Sequence, residues 1–194
     1  MCCTVRTDLT DVLRRLLIVE KHDFDGIIIE TTGLADPAPI AQTFFVEPDI
    51  VERCTLDAII TVVDVKHVMQ HLDEKRPEGV ENETLEQIAF ADKLLLSKCD
   101  LVDEDYLAKV IARVRSVNTT AEIIRVTNGV IDPNLLLNIQ SFSLDKCIDK
   151  EPDFLNTDAE HQHDESVTSV SLVTRDPMMW GPIEDWMRAL VETK

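Results

Sequence analysis

The sequence has 194 residues, with 19 basic and 37 acidic side chains and a formal net charge of −18. This charge excludes a nucleic-acid binder held by phosphate contacts, because such a protein needs a surplus of Lys and Arg. With 44% hydrophobic and 29% charged residues, the composition is that of a globular protein. No apolar run approaches the roughly 20 residues that span a bilayer, and residues 1–9 lack the apolar stretch of a signal peptide. We therefore expect a soluble cytoplasmic protein that binds neither nucleic acid nor membrane.

Predicted helices and strands alternate along most of the chain. Apolar residues at helical spacing predict an amphipathic helix over 7–21. Short apolar runs at 27–29, 58–63 and 94–96 predict strands buried on both faces, and 122–126 predicts a fourth strand. Strands that alternate with helices indicate an α/β fold with a parallel sheet and right-handed crossovers.

The last third of the chain has a different pattern. An apolar stripe over 107–117, with Asp103 placed as its N-cap, predicts one more helix of the sheet domain. Periodicity then disappears over 143–165, which predicts an acidic linker that contains histidines. Alternation over 167–174 predicts a half-exposed strand, followed by a short helix after Gly181. We expect a first domain over 1–142 and the beginning of a second over 166–194.

Five cysteines is an odd number, and Cys2 and Cys3 are adjacent, which is too strained for a comfortable structural disulfide. Two adjacent thiolates could share one soft metal ion, although simple burial or chance is the more common explanation of such a pair. We assign Cys54, Cys99 and Cys147 to packing only.

The segment IIIETTGLADP, residues 27–37, has the sharpest local pattern. The predicted strand delivers Glu30 to the sheet edge where open α/β folds bind ligands. In nucleotide hydrolases an acidic residue there holds Mg²⁺, and a glycine such as Gly33 faces the γ-phosphate and senses hydrolysis. The alternative is an ordinary junction between a strand and a turn, with an incidental carboxylate.

A second pattern, LLLSKCDLVDE over 94–104, places Lys98 and Asp100 after another apolar strand. In GTP-binding domains a strand that ends in Asn-Lys-x-Asp uses the carboxylate to accept hydrogen bonds from guanine, which selects guanine over adenine. Ser97-Lys98-Cys99-Asp100 alone could equally be an exposed turn. Asp64 ends its strand at the same edge and either lines the nucleotide cleft or caps the following helix.

The phosphate-cradling loop G-x-x-x-x-G-K-[ST] requires Gly followed by Lys, and none of the 5 glycines has Lys after it. We expect the first strand and the phosphate loop to lie upstream of this sequence. The chain by itself is then expected neither to bind nor to hydrolyse GTP appreciably.

These motifs together resemble those of CobW-type GTPases, the group that includes zinc-transferring metallochaperones. Cys2 and Cys3 match the end of the family's Cys-x-Cys-Cys motif, with Met1 at the x position. Residues 30–37 are similar to its Glu-[ST]-[ST]-Gly-x-x-Asp-Pro switch segment, and residues 97–100 are similar to its guanine motif, with Ser97 where Asn is usual.

The resemblance implies a P-loop NTPase-like parallel sheet with helices on both faces, truncated at its N-terminus, and the start of a small α+β C-terminal domain. It implies GTP, Mg²⁺ and Zn²⁺ as ligands, with GTP and Mg²⁺ expected only for the full-length parent protein, and delivery of the metal to a client metalloprotein. Glu30 and Gly33 would serve hydrolysis. The residues implied for nucleotide binding are Ser97, Lys98, Asp100 and Asp64.

Cys2 and Cys3 would hold the metal, and His161 and His163 resemble the family's histidine-rich stretch and could ligate it together. In an acidic linker the two histidines could equally be unstructured. Two alternatives stay open: a metal-binding or partner-binding module that works without nucleotide, and a cobalt-handling GTPase of cobalamin synthesis. The sequence does not specify an oligomeric state.

Overall fold

The computed structural model describes residues 2–20, 24–74, 82–150, 152, 154–155, 173–174 and 178–192, with only the backbone described at 2–6, 146 and 150. The chain divides into two compact units, Met1–Asp164 and Glu165–Lys194. In the described part of the chain, no helix has both the length and the apolar character needed to cross a membrane.

In the described parts of the chain, the first unit alternates helices with three strands, and the second unit contains one helix. The helices are α1 Cys2–Arg14, continued by a π-helical turn Arg15–Val19, α2 Pro37–Val46, α3 Pro48–Val51, α4 Val68–Leu72, α5 Glu83–Phe90, α6 Glu104–Val117, α7 Leu144–Lys150 and α8 Trp180–Glu192. The strands are β1 Ile60–Asp64, β2 Lys93–Ser97 and β3 Glu122–Arg125, and short 3₁₀ turns occupy Cys99–Leu101 and Pro133–Leu135.

The three strands form one parallel sheet in the order β1-β2-β3. In the middle strand Leu94, Leu95 and Leu96 are all buried, although successive side chains point to opposite faces. A strand covered on both faces must be apolar at every position, which explains the continuous leucine run. This confirms the predicted α/β fold with a parallel sheet.

Helices α4, α5 and α6 contribute to the largest apolar core together with the sheet. Its fully buried members include Val65, Leu94, Leu96, Val110 and Val114. The predicted N-cap of α6 is confirmed, because the Asp103 side chain accepts a hydrogen bond of 2.7 Å from the Tyr106 N–H. Core burial and capping therefore fix α6 against the sheet.

The predicted buried strand over 27–29 is wrong. The segment is extended, but it forms no strand, and the Ile28 side chain is 81% exposed. Within the described residues, no backbone hydrogen bond joins 25–31 to a neighbouring strand. A β-branched run becomes a strand only where another strand pairs with its backbone groups, and among the described residues β1 pairs only with β2.

The segment 143–165, predicted as a linker, contains ordered structure in its first half. Helix α7 lies there, Cys147 is buried, and the Phe154 ring stacks on Phe90 with ring centroids 6.1 Å apart. The predicted strand over 167–174 lies outside the described residues except for its last two positions, which belong to no strand. The proposed boundaries at 142 and 166 stay a prediction.

One buried side chain connects the ends of two helices and the start of β3. Asn118 Nδ2 donates to the carbonyls of Ile88, Ala89 and Ala91 at 2.8, 3.1 and 2.8 Å. Its Oδ1 accepts from the Ala121 N–H at 3.0 Å. Asn118 therefore satisfies the C-terminal carbonyls of α5, which lack partners within their own helix.

We expect Asn118→Ala to destabilise the first unit by about 3 kcal/mol, because several buried carbonyls and an N–H lose their partner together. Urea unfolding followed by circular dichroism measures this change. Asn134→Ala, at an exposed position, is the matched control and should change stability by less than about 0.5 kcal/mol. Equal effects of the two substitutions would contradict the structural role of Asn118.

Candidate functional site

The carboxyl ends of β1 and β2 bring three of the predicted site residues together. Asp64 is the last residue of β1 and lies opposite Ser97, the last residue of β2. Lys98 follows directly, and its Nζ lies 2.7 Å from Asp64 Oδ2. The parallel register is the reason that residues 34 positions apart in sequence form an ion pair at one sheet edge.

Asp64 also receives two further hydrogen bonds. The backbone N–H of Lys66 donates to Oδ1 at 3.0 Å, and His67 Nδ1 lies 2.9 Å from Oδ2. The bond from Lys66 is an Asx turn, in which the carboxylate organises the chain that leaves the strand. Asp64 therefore shapes the turn before α4 and holds Lys98 at the same time, while His67 occupies the N-cap position of α4.

These contacts favour the ionised form of Asp64. Partial burial raises the pKa of its carboxyl group, but the hydrogen bonds from Lys98, His67 and the Lys66 N–H outweigh burial and lower that pKa to about 2. Asp64 is consequently an anion at any pH near neutrality, which keeps the ion pair with Lys98 in place.

Lys98 adopts a left-handed backbone conformation, with φ 60° and ψ 30°. For a residue other than glycine this conformation costs on the order of 1 kcal/mol. The ion pair between the Lys98 ammonium group and the Asp64 carboxylate offsets this cost. Next to it, the Ser97 hydroxyl donates to the Val63 carbonyl at 3.1 Å and ties the end of β2 to β1.

Asp100 lies in the 3₁₀ turn Cys99–Leu101, immediately after Lys98. The turn is closed by a hydrogen bond of 3.0 Å from the Leu101 N–H to the Lys98 carbonyl, and Cys99 Sγ donates to the Leu96 carbonyl. Within the described residues, no hydrogen bond or ion pair engages the exposed Asp100 carboxylate. It is therefore available to accept hydrogen bonds from a ligand.

Glu30 and Gly33 lie on a separate segment. The Ala35 N–H donates to the Thr32 carbonyl at 3.1 Å and closes a turn that includes Gly33; we call residues 32–35 the switch turn. Asp36 follows and caps α2 by accepting from the Ala38 N–H at 2.9 Å. Within the described residues, no hydrogen bond or ion pair joins Glu30 or Gly33 to Lys98 or Asp100.

Glu30 is exposed, and the described residues offer it neither an ion pair nor a hydrogen bond. A free carboxylate of this kind fits the oxygen ligands that Mg²⁺ prefers. Around Gly33, an added Cβ would meet no atom within 4 Å, so the space beside the switch turn is open.

The structure also identifies a contact that sequence reasoning missed. Gln87 on α5 donates from Nε2 to the Ala35 carbonyl at 2.7 Å and to the Thr32 carbonyl at 3.3 Å. Gln87 thereby binds the switch turn, more than 50 positions away in sequence. No local pattern distinguishes it from any other polar residue on an amphipathic helix.

The predicted metal ligands are not assembled by the described side chains. Cys2 and Cys3 begin α1, where only the backbone is described, and His161 and His163 lie outside the described residues. Among the described side chains, no three from His, Cys, Asp and Glu are grouped closely enough to hold a metal ion.

The fold belongs to the α/β class of the P-loop NTPases. It is similar to the solved structure of the Zn(II)-bound YjiA GTPase from E. coli, with a TM-score of 0.58 and 35% identity, over 70% of this chain and 40% of that chain. Residues 1–125 match the family described as CobW/HypB/UreG, nucleotide-binding domain. The chain belongs to this family, as the motifs at 30–37 and 97–100 indicated.

Curated relatives agree with this assignment. The zinc chaperone YjiA of Escherichia coli is 33% identical over 175 residues, which cover 89% of this chain and 52% of that protein. The zinc-regulated GTPase metalloprotein activator 1 of Schizosaccharomyces pombe is 31% identical over 188 residues, or 90% of this chain and 44% of that protein. The chain spans about half the length of these relatives.

Asp64→Asn should remove a pH-dependent part of the stability. Because the pKa of Asp64 falls from 3.8 to about 2 on folding, its contribution is complete above about pH 4 and is lost as the pH falls through about 2. We expect the stability difference between wild type and Asp64→Asn to shrink between about pH 6 and about pH 3, measured by urea unfolding.

The control for this prediction is Asp11→Asn, which changes an exposed carboxylate on α1. The stability difference measured for Asp64→Asn should shrink more over this pH range than the difference measured for the control. A constant difference for Asp64→Asn would contradict the ionised network at the sheet edge.

Proposed function

We propose that this protein works in the GTP-dependent handling of zinc and that Zn²⁺ is its cargo, delivered to a client metalloprotein. The observation that supports this proposal most directly is the sheet edge where Asp64 holds Lys98 beside the free carboxylate of Asp100. Membership of the CobW/HypB/UreG family and similarity to relatives named zinc chaperone and zinc-regulated GTPase support the same function.

In this proposal Asp100 recognises the base. Guanine presents N–H donors at N1 and N2 to a carboxylate, whereas adenine presents an acceptor at N1, so the carboxylate favours guanine. Lys98, held by Asp64, lies beside the base. Ser97 stabilises the end of β2, directly before Lys98 and Asp100.

Glu30 and Gly33 serve the phosphate end in the same proposal. Glu30 contributes an oxygen ligand to the Mg²⁺ shell, and Gly33 turns its N–H towards the γ-phosphate. Since no glycine of the 194 residues is followed by Lys, this chain supplies no Walker-type phosphate cradle. We expect it alone to make contacts mainly with the base, to bind GTP weakly and not to hydrolyse it.

Zinc is assigned to the thiolates of Cys2 and Cys3, with His161 and His163 as a second pair of donors. Zn²⁺ prefers thiolate and imidazole ligands, and binding requires the thiols to lose their protons. Cys2 and Cys3 are the first residues of α1, so a change at the metal can reach the core through Leu13 of the same helix, which is 1% exposed.

Base selectivity is tested by titrating the ¹⁵N-labelled chain with GTP and with ATP. GTP should shift the amide signals of the Cys99–Leu101 turn and ATP should shift them less. Asp100→Ala should weaken the response to GTP by about tenfold, because the guanine donors lose their acceptor. Asp105→Ala, at an exposed position on α6, is the control and should leave the response unchanged. Equal responses to GTP and ATP would contradict the assignment.

Metal binding is tested by competition with a chromophoric zinc chelator. Replacing Cys2 and Cys3 together by Ser should lower Zn²⁺ affinity by at least about tenfold, and affinity in wild type should fall with decreasing pH. Cys54→Ser is the control: burial raises the pKa of the Cys54 thiol, against a lowering effect of Arg53, so it is a poor thiolate donor. An equal loss in the control would contradict the assignment, and stronger binding of Co²⁺ than of Zn²⁺ would favour the cobalt alternative.

A further inference from the structure

We propose that Gln87 is a positioning residue of the nucleotide site, whose side-chain amide sets the conformation of the switch turn. The proposal rests on the proposed function, because it takes the turn containing Gly33 as the phosphate-sensing element. It assigns a role to a helix residue that lies outside both sequence motifs.

The hydrogen bonds made by Gln87 define its role. Its Nε2 donates to the Thr32 and Ala35 carbonyls, which are the first and last carbonyls of the switch turn. Since both neighbours are acceptors, the NH₂ end of the amide must face the turn, and its orientation is not ambiguous. One side chain therefore holds both ends of the turn at a fixed separation, with Gly33 between them.

The backbone of Gln87 is held in turn from the sheet. Thr61 on β1 donates from Oγ1 to the Gln87 carbonyl at 2.7 Å. Helix α5 is fixed at its C-terminal end by Asn118, and at its N-terminal end the Asn82 side chain accepts from the Leu85 N–H at 3.2 Å. The amide of Gln87 thus projects from a rigid support, which a positioning residue needs.

The segment that contains the switch turn has fewer contacts than α5. Residues 25–31 have no strand partner among the described residues, and Glu30, Thr31, Thr32 and Gly33 are all exposed. The turn's own hydrogen bond, from the Ala35 N–H to the Thr32 carbonyl, is 3.1 Å long. Gln87 is the side chain through which α5 holds the turn, so removing its donors should let the turn open and Gly33 reorient.

The test is amide hydrogen exchange and ¹H–¹⁵N spectra of the 194-residue chain without nucleotide. Gln87→Met keeps the shape of the side chain but removes both donors. We expect exchange of the Ala35 N–H to become roughly tenfold faster, with shifted signals for Gly33 and Leu34. Gln70→Met is the matched control, on an exposed position of α4, and should change none of these signals.

Gln87→Glu gives a readout that loss of packing cannot imitate. At neutral pH the carboxylate of this variant can only accept hydrogen bonds, and it repels the two carbonyl oxygens. The turn should therefore open as in Gln87→Met. As the pH falls through the carboxyl pKa, the protonated form regains one O–H donor, and part of the Ala35 protection should return. The other carboxylates on α5 and beside the turn, Glu83, Glu86, Glu30 and Asp36, are the same in both variants, so subtracting the Gln87→Met titration removes their effect.

Unchanged Ala35 exchange in both Gln87 variants, with circular dichroism showing a folded chain, would overturn the proposal. The proposal is also overturned if Gln70→Met changes the Ala35, Gly33 and Leu34 signals as Gln87→Met does. It is overturned as well if Gln87→Glu shows no return of Ala35 protection at low pH. Because no nucleotide is present, failure of GTP to bind this chain leaves the measurement intact, so this proposal and the proposed function fail separately.

Discussion

The parallel register between β1 and β2 is the constraint on which the site depends. It sets Asp64 opposite Ser97, so that Lys98, the residue after β2, lies beside the last residue of β1. A shift by one residue would turn every side chain of β1 to the other face and would separate the Asp64 carboxylate from Lys98. Side-chain hydrogen bonds oppose such a shift, because Ser97 Oγ donates to the Val63 carbonyl and Thr61 Oγ1 donates to the Gln87 carbonyl.

Several elements could be predicted because their signals are local. The leucine run before Ser97 and the β-branched run before Asp64 each have the composition of a buried strand, and both form strands. Helix α6 combines an apolar stripe with a capping aspartate, and each signal supports the other. Residues 27–29 have the same composition as these strands, yet no described strand pairs with them, because composition shows what a segment can bury but not which strand pairs with it.

The site could be predicted only in part. The sequence predicts that Asp64, Lys98 and Asp100 share one edge because each follows an apolar run, and the structure places Asp64 in contact with Lys98. The contact of His67 with Asp64 follows from the turn geometry after β1, which no sequence pattern specifies. The role of Gln87 is still harder to predict, because its partners are backbone carbonyls far away in the chain. Every residue has a backbone carbonyl, so the sequence does not mark which ones Gln87 contacts.

Strand β1 connects the two parts of the site. At its end, Asp64 holds Lys98, and nearer its start Thr61 holds the backbone of Gln87, whose side chain binds the switch turn. The Cys99–Leu101 turn and the switch turn are therefore both linked to the five-residue strand β1, although no hydrogen bond joins the two turns directly in the described part of the chain. A displacement of the switch turn must break the bonds to Gln87 or move α5, whose C-terminal half is held by Thr61 of β1 and by Asn118 at the end of α6. If Gln87 positions the switch turn as proposed, its two hydrogen bonds are the contacts that a rearrangement at Gly33 has to break.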